Sequence, residues 1–119
     1  MKALIVDDAA LARTLLRKLL EGNGFQEIVE ASNGDEAVQL YQSSKPDLVT
    51  MDITMPGMDG VTAIKKIIEI DPLANIIVCS ALGEKNIVLE AIQSGAKHFI
   101  VKPFDNEKVI SIVKAVLEN

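Results

Sequence analysis

The sequence predicts one α/β domain with a doubly wound (βα)5 architecture, in which a five-stranded parallel sheet has helices on both faces. Five short apolar runs recur along the chain, and segments with a helical period separate them. The runs are continuous rather than alternating and are rich in β-branched residues, which is typical of strands buried on both faces. Since strand and helix alternate five times, right-handed crossovers and a mostly parallel sheet are expected.

The five apolar runs define the predicted strands, at residues 3–6, 28–29 with 31, 48–51, 76–79 and 99–101. Three intervening segments carry an apolar stripe with a period of three to four residues, which predicts helices with one face against the sheet. The stripes comprise Leu11/Ala12, Leu15/Leu16 and Leu19/Leu20 in the first helix, Val61, Ile64 and Ile67/Ile68 in the third, and Val109, Ile112/Val113 and Val116/Leu117 in the fifth.

Helix start and stop signals support this division of the chain. Asn33, with Glu36 three residues later, is typical of a capping box at the start of the second helix, and Asp59 can cap the third. Stop signals follow the first, third and fourth helices, at Gly22 and Gly24, at Asp71-Pro72 and at Gly95.

Length and composition set limits on the function. The 119 residues are enough for one domain with its own core, expected to span 1–119. A formal charge of −5 repels phosphate backbones, so nucleic acid is not an expected ligand. Cys79 is the sole cysteine and lies in an apolar run, which favours a reducing, cytoplasmic setting. The four-residue apolar run after Lys2 is too short for a signal peptide or membrane span.

Polar side chains follow four of the five predicted strands, at the carboxyl ends where open parallel sheets bind ligands. They are Asp7-Asp8 after the first strand, Asp52 after the third, Ser80 after the fourth and Lys102-Pro103 after the fifth. Because three close carboxylates would repel one another, a cation is expected among them. Carboxylate oxygens completed by water and substrate phosphate favour Mg²⁺, so the sequence predicts a magnesium site at this edge.

An aspartate carboxylate can also be a nucleophile that forms an acyl phosphate. Asp52 is the candidate, because it stands alone at the end of the central strand while Asp7 and Asp8 pair on its neighbour. The metal, the Lys102 ammonium and the Ser80 hydroxyl could position a phosphoryl group and neutralise its charge. The pattern therefore predicts phosphoryl transfer to Asp52.

At these positions the stretches LIVDDAALAR, MDITMPGMDG, CSALG and GAKHFIVKPF resemble bacterial two-component receiver domains, over essentially the whole chain. Among receivers they look most like the stand-alone chemotaxis response regulators of the CheY type. The resemblance implies a strand order of 2-1-3-4-5 and phosphorylation of Asp52 with Mg²⁺ as cofactor. It also implies a signalling protein rather than an enzyme, one that catalyses only its own phosphorylation and dephosphorylation.

The resemblance further implies roles for the residues around Asp52. Asp8, Asp52 and the backbone carbonyl of Thr54 would ligate Mg²⁺ directly, and Asp7 would act largely through bound water. Lys102 would contact a phosphoryl oxygen. These roles agree with the chemistry expected from the residue types alone.

For the switch, the resemblance implies that Ser80 moves toward the phosphoryl group and that Phe99 then turns inward. The Lys102-Pro103 bond would be cis. Ser80 and Phe99 stand where Thr and Tyr are frequent in the family, so an output surface that needs the Tyr hydroxyl would be lost. Thr54 and Leu82 flank the approach of hydrolytic water without a charge or amide to orient it, which suggests a comparatively long-lived acyl phosphate.

Two other classes with similar sheets fit less well. A haloacid-dehalogenase phosphatase needs a second acid two residues after its nucleophile, where this chain has Thr54. A flavodoxin-like flavin carrier needs a phosphate-binding loop after the first strand, where Asp7-Asp8 would repel the phosphate.

The expected partners are proteins. A histidine kinase would donate the phosphoryl group, and a monomer would signal by a phospho-dependent contact through the fourth helix, fifth strand and fifth helix. A flagellar switch protein in chemotaxis is the first candidate target. The alternative is a phosphorelay intermediate whose main contact surface is the helix-one face around residues 9–13.

Overall fold

The computed structural model describes residues 1–55 and 57–118, and within them five strands alternate with five helices. The strands are β1 (Lys2–Val6), β2 (Glu27–Ala31), β3 (Leu48–Asp52), β4 (Ile76–Ser80) and β5 (His98–Val101). The helices are α1 (Ala10–Glu21), α2 (Gly34–Ser44), α3 (Gly60–Ile70), α4 (Lys85–Gln93) and α5 (Asn106–Glu118). All strand pairs are parallel, in the order β2-β1-β3-β4-β5, which confirms the predicted fold.

The register of the sheet brings the predicted site residues to one edge. Val6 pairs with Met51, so Asp7 follows β1 at the level where β3 ends in Asp52. Asp52 in turn pairs with Cys79 of β4, and Ser80 pairs with Val101 of β5. The carboxyl ends of four strands therefore meet, as expected for a parallel sheet.

Helices cover both faces of the sheet. On one face α2, α3 and α4 bury residues such as Ala37, Ile64 and Ala91 in one apolar cluster. On the other, α1 and α5 contribute Leu16 and Val109, among others, to a second cluster. Cys79 lies in the second cluster, and burial raises the pKa of its thiol to about 12.

Two expectations about burial were wrong. In α1, Leu16 and Leu20 are buried, but Leu11 and Leu15 are 72% and 53% exposed, because the sheet covers a narrower arc of this helix than the stripe occupies. The edge strands are also only partly covered. In β5 only Ile100 is buried, and Phe99 is exposed, since β5 has a neighbouring strand on one side alone.

The helix termini follow the predicted signals with one variation. The Asn33 side chain accepts a hydrogen bond from the Glu36 N–H, but the Glu36 carboxylate returns to the Ser32 N–H, one residue earlier than a capping box requires. Asp59 caps α3 by accepting from the Thr62 N–H. Gly95, which has a φ of 126° that side chains disfavour, follows the end of α4.

One peptide bond has an uncommon conformation. The Lys102-Pro103 peptide bond is cis, as the resemblance implied. In the part of the chain that the structure describes, no helix combines the length and apolarity needed to span a membrane.

Candidate functional site

Three carboxylates meet at the carboxyl edge of the sheet. Asp7 and Asp52 are buried, with 1% and 5% of their surface exposed, while Asp8 is exposed. One oxygen from each lies within 4.8 Å of the others. The predicted acidic cluster is therefore present, and the end of β1 and the end of β3 hold its two buried members.

Lys102 supplies the positive charge beside this cluster. Its Nζ donates to Asp7 Oδ2 at 2.9 Å and lies 3.8 Å from Asp52 Oδ2, so its shorter contact is to Asp7. The Lys102 backbone N–H donates to the Ser80 carbonyl at 2.7 Å, which fixes the loop after β5 against the end of β4. Burial alone would lower the pKa of Lys102, but the hydrogen bond to Asp7 and the charge of Asp52 outweigh it and raise that pKa.

The electrostatics of Asp52 reflect this crowding. Burial, and then the negative charge of Asp7, raise the pKa of Asp52 to about 6, although Lys102 and the Thr54 N–H act in the opposite direction. One ammonium therefore does not offset the cost of three close carboxylates. A bound cation would remove this imbalance.

The oxygens at the site are not equally free to bind a cation. Both Asp7 oxygens already accept hydrogen bonds, Oδ1 from the Ala9 N–H at 2.9 Å and Oδ2 from Lys102. No such bond is found for the exposed Asp8 carboxylate within the described residues. The donor set is made of hard oxygens, which fits Mg²⁺ with several waters retained.

Ser80 and Phe99 lie on neighbouring strands beyond the acidic cluster. Ser80 is 2% exposed at the end of β4, and Phe99 is 42% exposed on β5. Both line a largely apolar groove of about 490 Å³ between the β4–α4 loop, α4 and β5. The exposed Phe99 ring therefore has a recess beside it that leads toward Ser80.

Sequence reasoning missed Glu84. The Thr54 hydroxyl donates to Glu84 Oε2 at 2.5 Å, and the Ala81 N–H donates to Glu84 Oε1 at 2.6 Å. Thr54 itself carries no charge, as expected from the sequence, but the carboxylate of Glu84 reaches it from a different loop. The glycine in Leu82-Gly83-Glu84 was the available signal, since Gly83 has a φ of 92° and turns the chain back.

Gly60 also has a role that was not identified from the sequence. A Cβ on Gly60 would collide with the Asp52 carbonyl oxygen and lie 2.6 Å from Ile53 Cα. The first residue of α3 thus lies directly against the backbone that carries Asp52. Only glycine permits this approach without a shift of the main chain.

Comparison with known proteins gives consistent matches. The family profile described as "Response regulator receiver domain" matches residues 3–114. The chain is 53% identical to Chemotaxis protein CheY of Bacillus subtilis, covering 98% of this chain and 97% of that protein. It is 53% identical to Chemotaxis protein CheY of Thermotoga maritima, covering 97% and 96%. A crystal structure of a CheX-CheY-BeF3-Mg complex from Borrelia burgdorferi matches with a TM-score of 0.92 and 42% identity, covering 98% of this chain and 88% of that one.

Proposed function

The chain belongs to the response regulator receiver family, and from this premise we propose that Asp52 accepts a phosphoryl group and thereby switches a protein-binding face. The observation that carries the proposal is the setting of Asp52, buried at the end of β3 within 4.8 Å of Asp7 and Asp8 and 3.8 Å from Lys102 Nζ. We extend the receiver assignment to residues 1–119 as one domain, because the elements of one sheet and its helices run from Lys2 to Glu118.

The donor set supports Mg²⁺ as the cofactor. Asp8, Asp52 and the Thr54 carbonyl would hold it directly, and Asp7 would act through water, since hydrogen bonds already engage both Asp7 oxygens. When bound, the ion would neutralise charge on the transferring phosphoryl oxygens. A metal held in this way would also account for the placement of Asp7-Asp8 after β1 and of Asp52 at the end of the neighbouring strand β3.

The transfer follows from the groups around Asp52. One Asp52 oxygen attacks the phosphorus of a phosphohistidine on a kinase, and the P–N bond breaks with its electron pair remaining on the imidazole nitrogen. Lys102 would shift its ammonium from Asp7 toward the new phosphoryl oxygens. In hydrolysis, water attacks the same phosphorus and the Asp52 carboxylate leaves. The protein would thus catalyse only its own phosphorylation and dephosphorylation.

The switch would use Ser80 and Phe99. The Ser80 hydroxyl would move toward the phosphoryl group, and the Phe99 ring would turn from its exposed position into the groove beside it. The groove supplies room for the ring that is not available in the close-packed centre of the sheet. The altered surface would consist of α4, β5 and α5.

For the biological role, we assign the protein to chemotaxis signalling, with a histidine kinase as donor and a flagellar switch protein as target that controls flagellar rotation. The similarity to two chemotaxis proteins along nearly their whole length supports this. The cytoplasm is the proposed location, in agreement with the buried, unpaired thiol of Cys79. The protein would act as a monomer and bind neither nucleic acid nor membrane.

A second candidate role, a phosphorelay intermediate, is supported by the exposed Leu11 and Leu15 on α1. That face could bind a histidine phosphotransfer protein. Two assays distinguish the roles. Capture of a flagellar switch protein by the beryllofluoride-treated protein, but not by the untreated protein, supports chemotaxis. Transfer of the phosphoryl group from protein labelled with acetyl phosphate to a histidine phosphotransfer protein supports the relay.

The central proposal is tested by incubating the protein with acetyl phosphate and Mg²⁺ and measuring the intact mass. One added phosphoryl group is expected for the parent protein and none for Asp52→Asn. Asp35→Asn is the matched control, because Asp35 is an exposed carboxylate in the first turn of α2. An unmodified parent, or a modified Asp52→Asn variant, would contradict the assignment.

A further inference from the structure

A single carboxylate connects the two loops that border Asp52. Glu84 Oε1 accepts from the Ala81 N–H, and Glu84 Oε2 accepts from the Thr54 hydroxyl. Ala81 directly follows Ser80 at the end of β4, and Thr54 follows β3 two residues after Asp52. We call Glu84 with these two donors the Glu84 latch.

The carboxylate is not used for helix capping. Glu84 precedes the first residue of α4, yet its side chain forms no hydrogen bond with the N–H groups of the helix. Instead Gly83, with a φ of 92°, reverses the chain so that Glu84 returns to Ala81. Its two hydrogen bonds therefore join the β4–α4 loop to itself and to the residue that follows Ile53, and not to α4.

One of the two donor residues, Thr54, also contacts the proposed phosphoryl acceptor Asp52. The Thr54 N–H donates to Asp52 Oδ1 at 3.3 Å, and Lys102, whose ammonium lies 3.8 Å from Asp52, is close enough to interact electrostatically with Glu84. A phosphoryl group on Asp52 would add up to about two negative charges and three acceptor oxygens in this region.

We propose that Glu84 is a gate for phosphorylation: the latch holds the β4–α4 loop in the unphosphorylated arrangement, and its carboxylate must withdraw when a phosphoryl group occupies Asp52. Glu84 then competes with the phosphoryl group for the donors of Ala81 and Thr54 and repels it by like charge. The proposal rests on the proposed function of Asp52 and adds a residue that sets how readily the active form is reached.

The test measures binding of beryllofluoride, a phosphoryl mimic, in the presence of Mg²⁺ by ¹⁹F NMR. Glu84→Ala is expected to bind it about five-fold more tightly than the parent, because the latch no longer opposes binding. Glu90→Gln is the control, since it removes the same charge from the exposed part of α4, and it is expected to bind like the parent.

The outcomes separate the two proposals. If the parent binds no beryllofluoride, the proposed function of Asp52 is wrong. If the parent binds it but Glu84→Ala binds equally or more weakly, the gate alone is wrong. An increase of the same size in Glu90→Gln would also overturn the gate, because net charge would then be the cause.

A second readout examines the latch itself. The Ala81 amide proton is expected to move upfield in the ¹H–¹⁵N spectrum of Glu84→Ala, since it loses a hydrogen bond to a carboxylate. Thr54→Val, which removes only the hydroxyl, should tighten beryllofluoride binding less than Glu84→Ala, and the double variant should bind like Glu84→Ala. Fully additive effects would show that the two contacts do not act as one latch. If Glu84→Ala does not fold, Glu84→Gln removes the charge while its amide oxygen can still accept one of the two hydrogen bonds. It is expected to tighten beryllofluoride binding by a smaller factor, and binding equal to that of the parent would overturn the gate.

Discussion

The helices α3 and α4 follow adjacent strands of the same sheet but are packed very differently. Five residues of α3 are buried, among them Ile64 and Ile67, and every residue of β3 is buried. In α4 only Ala91 is buried, and the adjoining edge strand β5 buries only Ile100. The proposed acceptor Asp52 lies on the first pair of elements, and the proposed switch residue Phe99 lies on the second.

This difference indicates how one small domain can combine precise chemistry with a conformational change. A nucleophile requires fixed geometry, which close packing on all sides supplies. A switch requires two arrangements of similar free energy, which a thinly packed helix and an edge strand with an adjacent groove allow. The predictions below test the contrast, from the largest expected effect to the smallest.

Truncating a core residue of α3 should cost far more than truncating α4. Ile64→Ala is expected to lower the free energy of unfolding by about 3 to 4 kcal/mol, because Ile64 is fully buried. Leu89→Ala, on the 56% exposed Leu89 of α4, should change it by less than about 0.5 kcal/mol. Urea denaturation measures the free energy of unfolding of both variants. Similar decreases in the two would contradict the proposed difference in packing between α3 and α4.

The contact between α3 and the acceptor strand should be intolerant of one added carbon. Gly60→Ala is expected to lower the free energy of unfolding by about 2 to 3 kcal/mol, since the new Cβ meets main-chain atoms of Asp52 and Ile53. Gly22→Ala is the control, because its Cβ would lie at least 3.6 Å from its neighbours. Equal stability of the two variants would contradict the rigid packing proposed for the acceptor.

The crowded carboxylates should make stability depend on pH in the absence of metal. Burial and the charge of Asp7 raise the pKa of Asp52 from 3.8 to about 6. Below pH 3.8 the Asp52 carboxyl is protonated in both the folded and the unfolded protein. As the pH rises from 3.8 to about 6, the unfolded protein gives up this proton more readily than the folded protein, so the free energy of unfolding falls. In EDTA, Asp52→Asn should therefore be more stable than the parent by about 2 kcal/mol at pH 7 and no more stable near pH 4.

Thermal or urea unfolding across that pH range measures the effect, with Asp35→Asn as the control for loss of an exposed charge. Adding Mg²⁺ should reduce the difference at pH 7, because a cation offsets the repulsion that the asparagine relieves. A difference that is independent of both pH and Mg²⁺ would show that the carboxylates do not interact as described.

The smallest free-energy change is expected in the switch region. Binding of beryllofluoride should shift the ring resonances of Phe99 in the parent, and Ser80→Ala should lose most of that shift while still binding the mimic. One hydroxyl contact can move a two-state equilibrium only part of the way, since a complete shift takes about 5.5 kcal/mol. NMR of the aromatic protons measures this, with Ser111→Ala, an exposed residue of α5, as the control. An undiminished shift in Ser80→Ala would exclude Ser80 as the link.

Much of the fold was predictable because local signals and the global arrangement agree. The continuous apolar runs predicted all five strands, and Asp59 and Gly95 marked helix ends that the structure confirms. The prediction was wrong for Leu11 and Leu15, whose periodicity resembles that of a buried stripe. Periodicity identifies a helix face but not the width of the surface that covers it.

The site was predictable to a similar degree. The ends of strands bring Asp7, Asp8, Asp52 and Lys102 together, and the sequence was sufficient to place them at one edge. The ion pair that Lys102 forms was not predictable from the sequence. Its ammonium could have lain closer to Asp7 or to Asp52, and the choice depends on differences of about one ångström between the two distances. The assigned roles of these residues, and the lifetime of the acyl phosphate, stay predictions for the experiments above.

By itself, then, the sequence determined the order of the elements and the edge at which the polar residues gather, because these depend on residue type and spacing along the chain. Only the tertiary structure decided that Phe99 is exposed, that Gly60 must lack a side chain and that Glu84 joins Thr54 to Ala81. Each of these depends on atoms that are distant in sequence, and their contacts arise only when the loops and strands have taken their places.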